Sequence, residues 1–239
     1  MKFIKLHYLI FFLILFSCEK DEEIPVQAPV IITADSLMLK VEDVYSSAIS
    51  YRDTGIVSTN FITDEIRLVE KPFKTAFLRS GLYRYEFHEI GKENSRYLIH
   101  RGETGIVSKW WDITGEIEIK ESLSLAIAGA TGVSSSSAFH IPSFLLPDEL
   151  GFTNVLRRLE NKEIIGSESI EGKDCYKLKG SHEYDGDIYT IWIQKNNFLL
   201  RRISDGHQFD TFRTETTIDI QGEINIEMDG SEFEFDPPV

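Results

Sequence analysis

"LYRYEFHEI", residues 82–90, alternates apolar and charged side chains. Successive side chains of an extended chain point to opposite faces, so Tyr83, Tyr85 and Phe87 share one face and Arg84, Glu86 and His88 the other. The stretch reads as a half-buried β-strand with an aromatic inner face. Neighbouring segments have the same texture. In "KTAFLRS" (74–80), Thr75, Phe77 and Arg79 share a face. In "DIYTIWIQK" (187–195), Ile188, Thr190 and Trp192 oppose Tyr189, Ile191 and Ile193. Both faces of that strand are apolar, so it is either covered twice or lines a cavity.

Working outward, the same period predicts strands near 51–59, 64–70, 73–80, 82–90, 95–101 and 104–111. A second set follows near 159–170, 173–182, 186–195, 198–205, 208–220 and 231–236. Strands so closely spaced in sequence pair as antiparallel neighbours, giving a meander and not βαβ units. "TGIVS" occurs at 54–58 and 104–108, but the flanks do not continue the match, so it marks two strand starts. A helix is expected at about 36–50, capped by Asp35 or Ser36, with Leu37, Val41, Val44, Tyr45, Ala48 and Ile49 on one stripe. One long sheet with an aromatic face needs a cover, and only that helix and the 121–150 region are available to supply it.

The chain has 239 residues and a formal net charge of −14, a field that disfavours nucleic acid and anionic membrane surfaces as partners. Lys2 and Lys5 precede the apolar run "LHYLIFFLILFS" (6–17), which is short for a bilayer span and reads as a signal segment. Leu15-Phe16-Ser17-Cys18 resembles the bacterial lipobox. That resemblance implies removal of residues 1–17 and diacylation of Cys18, usually with a third chain added. Several chains make a stable membrane anchor, each buried methylene contributing about 0.8 kcal/mol. "EKDEE" (19–23) is a solvated acidic run, similar to the signal that sends some Gram-negative lipoproteins to the outer face of the cell. Residues 18–35, with two prolines, read as a tether, and 36–239 as the folded domain. With Cys18 assigned to acylation, Cys175 stands alone and is expected to be a small half-buried residue without a disulfide.

The stretch "AIAGATGVSSSSAFHIPSFLLP" (126–147) invites a catalytic reading. A nucleophilic serine of the elbow type needs G-x-S-x-G between strand and helix and a base in reach. Here Gly132 and Ser134 are followed by Ser136 where glycine is needed, a helix precedes the segment, and no acid stands out to orient His140. Ser134–Ser137 therefore read as a mobile, solvated loop hinging two lid segments, 121–131 and 139–150. The histidines are dispersed, the acids lack calcium-loop spacing and there is no phosphate loop, so no metal site and no cofactor are expected.

The order of elements resembles the LolA/LolB superfamily of lipoprotein carriers. Four features carry the resemblance: the helix running into "SYRDTGIV", the turn in "FLRSGLYRYEF" (77–87), the run "EIIGSESIEGKDCYKLKG…YTIWIQKNNFLLRRI" (163–203), and the terminal "FEFDPPV" (233–239). The resemblance implies a mainly β (α+β) fold: a curved antiparallel sheet forming an incomplete barrel, with an N-terminal helix and a helical lid over the concave face. It implies an apolar ligand, an acyl chain or a lipoprotein's lipid moiety, and no enzyme. The aromatics proposed to line the cavity are Phe77, Tyr83, Tyr85, Phe87, Trp110, Trp111 and Trp192; the lid residues are Leu125, Ile127, Phe139, Ile141, Phe144 and Leu145. Arg79 aligns with the family's turn arginine, which contacts the lid, although Ser80 replaces the proline that follows it there. Expected partners are lipid, the membrane through Cys18, and other lipoproteins, in the cell envelope and at the outer membrane. Two alternatives stay open: an envelope interaction protein with a filled core, and a serine esterase using Ser134–Ser137 with His140.

Overall fold

A computed structural model describes residues 32–151 and 154–237. Cys18, the signal segment and most of the tether lie outside the described residues. Among the described residues, no helix is long and apolar enough to cross a membrane.

Helix α1 (Ala34–Ser47) leads into β1 (Ser50–Ile62), β2 (Ile66–Leu78), β3 (Tyr83–Phe87), β4 (Tyr97–Arg101), β5 (Val107–Trp111) and β6 (Ile117–Lys120). The helices α2 (Leu123–Thr131), α3 (Ser137–Leu145) and α4 (Pro147–Leu150) and a 3-10 turn (Val155–Arg158) interrupt the strands. Then come β7 (Glu160–Ile170), β8 (Lys173–Ser181), β9 (Ile188–Gln194), β10 (Leu200–Gln208) and β11 (Arg213–Ile224). All eleven strands form one sheet in the order β6-β5-β4-β3-β2-β1-β11-β10-β9-β8-β7. Every neighbouring pair is antiparallel. Two meanders thus meet where β1 pairs with β11, and among the described residues β6 and β7 are the edge strands. This is the open barrel, covered by helices, that the resemblance implied.

Local chemistry explains where the elements differ from expectation. Helix α1 starts two residues early because Thr33, not Asp35 or Ser36, caps it: Thr33 Oγ1 accepts from Ser36 N (3.2 Å) and Ser36 Oγ from Thr33 N (3.0 Å). The strands expected at 64–70 and 73–80 are one strand, β2. Proline's fixed φ suits extended backbone, and the Pro72 carbonyl still accepts from His88 N (3.3 Å). The strand expected at 231–236 is a 3-10 turn, Gly230–Phe233. Its start is set by a capping box in which Asp229 accepts from Ser231 N (2.9 Å) and Glu232 from Asp229 N (3.3 Å). Gly55 is required where it stands, since a Cβ there would lie 2.3 Å from the Phe73 ring and 2.4 Å from the Asp219 carbonyl.

The core lies between the concave face of the sheet and the helices. Leu37, Val41 and Tyr45 of α1, and Leu123, Ile127, Phe144 and Leu145 of the interrupting helices, have at most 1% of their surface exposed. They form one continuous cluster with Tyr51, Phe77, Tyr83, Tyr85, Ile191, Ile203 and Ile218 of the sheet.

Candidate functional site

Strand register decides which side chains face the helices. Tyr51 opposes Phe77, which opposes Tyr83; Gly55 opposes Phe73, which opposes Phe87, Tyr97 and Trp111 in turn. These residues share the concave face. Their rings run as a ladder across the sheet: Phe73–Tyr85 at 6.3 Å, Tyr85–Phe87 at 6.3 Å, Phe87–Tyr97 at 5.5 Å and Tyr97–Trp111 at 5.8 Å between centroids. Beyond β1 the wall turns aliphatic, with Ile218, Ile220, Ile203, Ile191, Ile193 and Leu178. Of the aromatics named from the sequence, Phe77, Tyr83, Tyr85 and Phe87 are on this wall, and Trp111 packs partly buried against it.

Trp110 and Trp192 are corrections. Trp110 is buried but opposes Leu98 on the convex face. Trp192 belongs to a separate cluster with Ile170 and Cys175, where its Nε1 donates to Glu168 (2.9 Å) and Lys177 stands 4.9 Å from its ring. The β9 strand is therefore covered on both sides. Cys175 is fully buried there, not half-buried, and burial pushes its thiol pKa up.

The cover rests directly on the wall. Ile127, Ile141, Phe144 and Leu145 face inward, and Phe139 packs partly buried against the cluster. Leu125 is the third correction: 52% exposed, it points away on the outer side of α2. Phe144 stacks on Tyr45 (5.9 Å), which meets Tyr51 (5.7 Å), so α1, α3 and the sheet share one aromatic contact.

Arg79 joins the same three parts. Its guanidinium donates to the carbonyls of Ala48 (3.0 Å), Tyr45 (3.2 Å) and Ser46 (2.8 Å) at the end of α1, and to Leu145 (2.6 Å) at the end of α3. Helix C-termini leave carbonyls without intrahelical partners and carry partial negative charge, so one planar cation satisfies two helix ends at once. Two further tethers were not named from the sequence. Lys71 Nζ donates to Val133 O (2.8 Å), and Arg101 pairs with Glu149 of α4. Their signal was available: each is a cation at an inward position of an alternating strand.

The serine-rich turn is more buried than its composition implied. Ser134 and Ser137 are buried. Ser134 Oγ donates to Thr131 O (3.2 Å) and accepts from Ala138 N (3.2 Å), while Ser137 Oγ lies 2.7 Å from Tyr85 OH. Ser135 and Ser136 have φ of 51° and 68°, a left-handed conformation that non-glycine residues rarely adopt, and they form the bend between α2 and α3. The buried His140 has no partner at Nδ1, and burial brings its pKa down to about 4. Its backbone carbonyl accepts from Asn154, while the serine hydroxyls bond to backbone and to Tyr85. These contacts build a structural turn, with the hydroxyls of Ser134 and Ser137 engaged in holding it.

A polar spot interrupts the wall. Asp53 is 1% exposed and accepts from Tyr51 OH (2.7 Å) at Oδ2, and burial drives its pKa up to about 6. Its Oδ1, the Thr75 hydroxyl and the Tyr83 hydroxyl are buried without a hydrogen-bond partner. Elsewhere, the β8–β9 turn and β10 bring Asp185, Asp187 and His207 together with ligand atoms within 4.8 Å of one another, a set that sequence spacing concealed. Asp187 N donates to Asp185 Oδ1 (3.0 Å) and Asp187 contacts His207, so hydrogen bonds internal to the group account for its closeness. Clefts of about 620 and 640 Å³ open on polar surfaces, one near Asp187 and Asp205 and one between the convex face and residues 229–236.

The chain matches no protein-family model and no curated protein sequence. Solved structures share its outline at low identity. The Mycobacterium tuberculosis lipoprotein LppX is 14% identical over 82% of this chain and 97% of that one, with a TM-score of 0.37. The LolA superfamily protein NE2245 from Nitrosomonas europaea is 10% identical over 86% and 99%, with a TM-score of 0.32. The Pseudomonas aeruginosa MucA/MucB complex aligns at 8% identity over 85% of this chain and 61% of that one, with a TM-score of 0.44.

Proposed function

We propose that this chain is a lipoprotein of the cell envelope, anchored through Cys18, that takes up an acyl chain or another lipid moiety between the concave wall and the α2–α4 cover. The observation that carries the reading is the seat of the cover: short apolar helices lie on a largely apolar wall, broken at Asp53, and are tethered by a few polar contacts. Their inner faces and the wall would exchange contact with each other for contact with a ligand chain. Each methylene so buried contributes about 0.8 kcal/mol gross, and ordering costs are subtracted from that. The lipobox supports the anchor, and the outer membrane is the destination we infer from it. The mechanism is binding without catalysis: the wall supplies surface, the bend at Ser135–Ser136 supplies the pivot, and Arg79 holds the closed position.

A specific observation favours a second reading. Phe144, Leu145, Ile127 and the wall beneath them are already sealed from solvent, as in an interaction protein with a filled core. Mass spectrometry of organic extracts from the purified protein separates the two. Stoichiometric co-purified lipid, lost when Tyr85 and Phe87 are replaced by charged residues, is the expected result. A protein that stays folded and carries no lipid under any expression condition overturns the carrier reading in favour of the filled core.

A further inference from the structure

Three polar atoms in the wall lack partners where nearly every buried polar atom has one. Asp53 opposes Thr75 directly across the β1–β2 pair, and Tyr83 lies one strand further, diagonal to Thr75. Their side chains are 1%, 2% and 0% exposed. The Thr75 hydroxyl and backbone N–H stand close enough to Asp53 to lower its pKa by weak hydrogen bonding against the larger effect of burial, yet neither Asp53 Oδ1 nor Thr75 Oγ1 gains a partner at normal hydrogen-bond distance and angle. The group faces the aromatic contact of Tyr51 and Tyr45 beneath Phe144 of α3. The ring ladder runs from here toward β5, four strand intervals or about 19 Å away, the reach of a long extended acyl chain.

We propose that Asp53, Thr75 and Tyr83 form the polar end of the ligand site and select an amphiphile with an uncharged, hydrogen-bond-donating head, a hydroxyl or an amide. This rests on the carrier reading above and names the ligand class of that site. An ionised carboxylate is acceptor-only, so Asp53 Oδ1 calls for a donor. The two hydroxyls can each donate or accept and complete the shell of a small polyol-like head. A carboxylate or phosphate head would set a second negative charge beside Asp53 in a low-dielectric interior, where repulsion is largest. The site therefore discriminates by rejection of anionic lipids as much as by attraction.

The test is competition on the detergent-solubilised full chain. The protein is incubated with equimolar monoolein and oleate at pH 8, and bound adducts are counted by native mass spectrometry. We expect monoolein to exceed oleate by about tenfold or more, the discrimination typical of sites built around buried polar groups. Asp53→Asn, nearly isosteric, should bring the ratio to within about threefold by removing the repulsion. Thr75→Val and Tyr83→Phe should lower monoolein adducts while leaving oleate unchanged, which covers the case in which Asp53→Asn does not fold. If both amphiphiles bind and all three variants keep the wild-type ratio, the three atoms serve only a buried water and the inference fails while the carrier reading stands. Preference for oleate also overturns it. If neither amphiphile binds, both readings fall together.

Discussion

Strand β3 presents two faces to two different covers. Inward, Tyr83, Tyr85 and Phe87 lie beneath the helices in a continuous apolar core. Outward, Arg84 and Glu86 meet the C-terminal segment through charge. Arg84 donates to Glu234 O (2.9 Å) and pairs with Asp236 (3.0 Å), and Arg96 pairs with the same Asp236 (2.9 Å). Both arginines also hold Glu86 at 2.9 Å. Burial alone would raise the Glu86 pKa; the two guanidinium groups outweigh it and hold it below its ordinary value. One side of the strand is closed by area removed from water, the other by ion pairs that reach water at Asp236, which is 56% exposed. The two covers should therefore fail under different conditions.

The sharpest break in the comparison is on the inner side. Phe144 is fully buried and touches α1 and the wall through Tyr45. Phe144→Ala leaves a cavity where three parts meet and should destabilise the fold by about 3–5 kcal/mol, read as a lower urea midpoint with an unchanged m-value. The loss should be the same in low and high salt. If the variant instead keeps its stability and exposes α3 to hydrogen exchange, the cover is a detachable flap and contributes little to the core.

Charge placed on the inner side is the next test. Asp53 has a folded pKa of about 6 against an ordinary 3.8, because burial outweighs the Tyr51 hydrogen bond. Between those values the folded state keeps a proton that the unfolded state has released. Stability from this group is thus full below pH 3.8 and declines as pH rises to about 6, by roughly 3 kcal/mol in all. His140 runs oppositely. Its folded pKa of about 4 lies below the ordinary 6.5, so stability is full above 6.5 and is lost as pH falls toward 4, by a similar roughly 3 kcal/mol. The two slopes oppose each other across pH 4–6. Asp53→Asn should remove one of them, giving a protein about 1–3 kcal/mol more stable at pH 7.5 whose advantage over the wild type shrinks as pH falls through 6 toward 4. Asp205, also raised to about 6 by burial, is common to both proteins and drops out of their difference. Denaturant melts from pH 4 to 8 measure it; parallel curves for variant and wild type would refute the assignment.

The inner face was legible because alternation in 82–90 states it directly, and aromatic content says which side is wet. Register was not. Trp110 and Trp111 are consecutive, so a strand can turn only one of them inward, and hydrogen-bonded pairing with β4 selects Trp111. Trp192 sat on a strand apolar on both sides, and only the fold shows that Ile170 and Cys175 cover it. Four serines in a row suggested solvent, but the end of α2 needs groups that satisfy its free backbone, and Ser134 supplies them from a buried position. Arg79 was visible through a resemblance; its four carbonyl partners come from segments far apart in sequence and depend on the tertiary fold. The Asp53 spot carried a signal that alternation offers freely, a carboxylate two residues from an inward Tyr51.

The smallest effect distinguishes two arginines. Arg79 spans the inner cover and donates to backbone carbonyls, which carry partial and not full negative charge, so salt has less to screen. Arg84 spans the outer cover and is paired with carboxylates. Arg79→Ala should lower stability by about 1–2 kcal/mol, the worth of a few partly exposed charge-assisted hydrogen bonds, and should speed hydrogen exchange at the ends of α1 and α3 together. Arg84→Ala should cost at most about 1 kcal/mol at low ionic strength. That loss should shrink in 1 M salt, where the screening length is about 3 Å, through the exposed Asp236 pair above all. Melting both variants with and without salt gives the result. If Arg84→Ala is the more harmful, or if Arg79→Ala is the salt-sensitive one, the division into an apolar inner cover and an ionic outer one is wrong at β3, where its two covers sit on the same five residues.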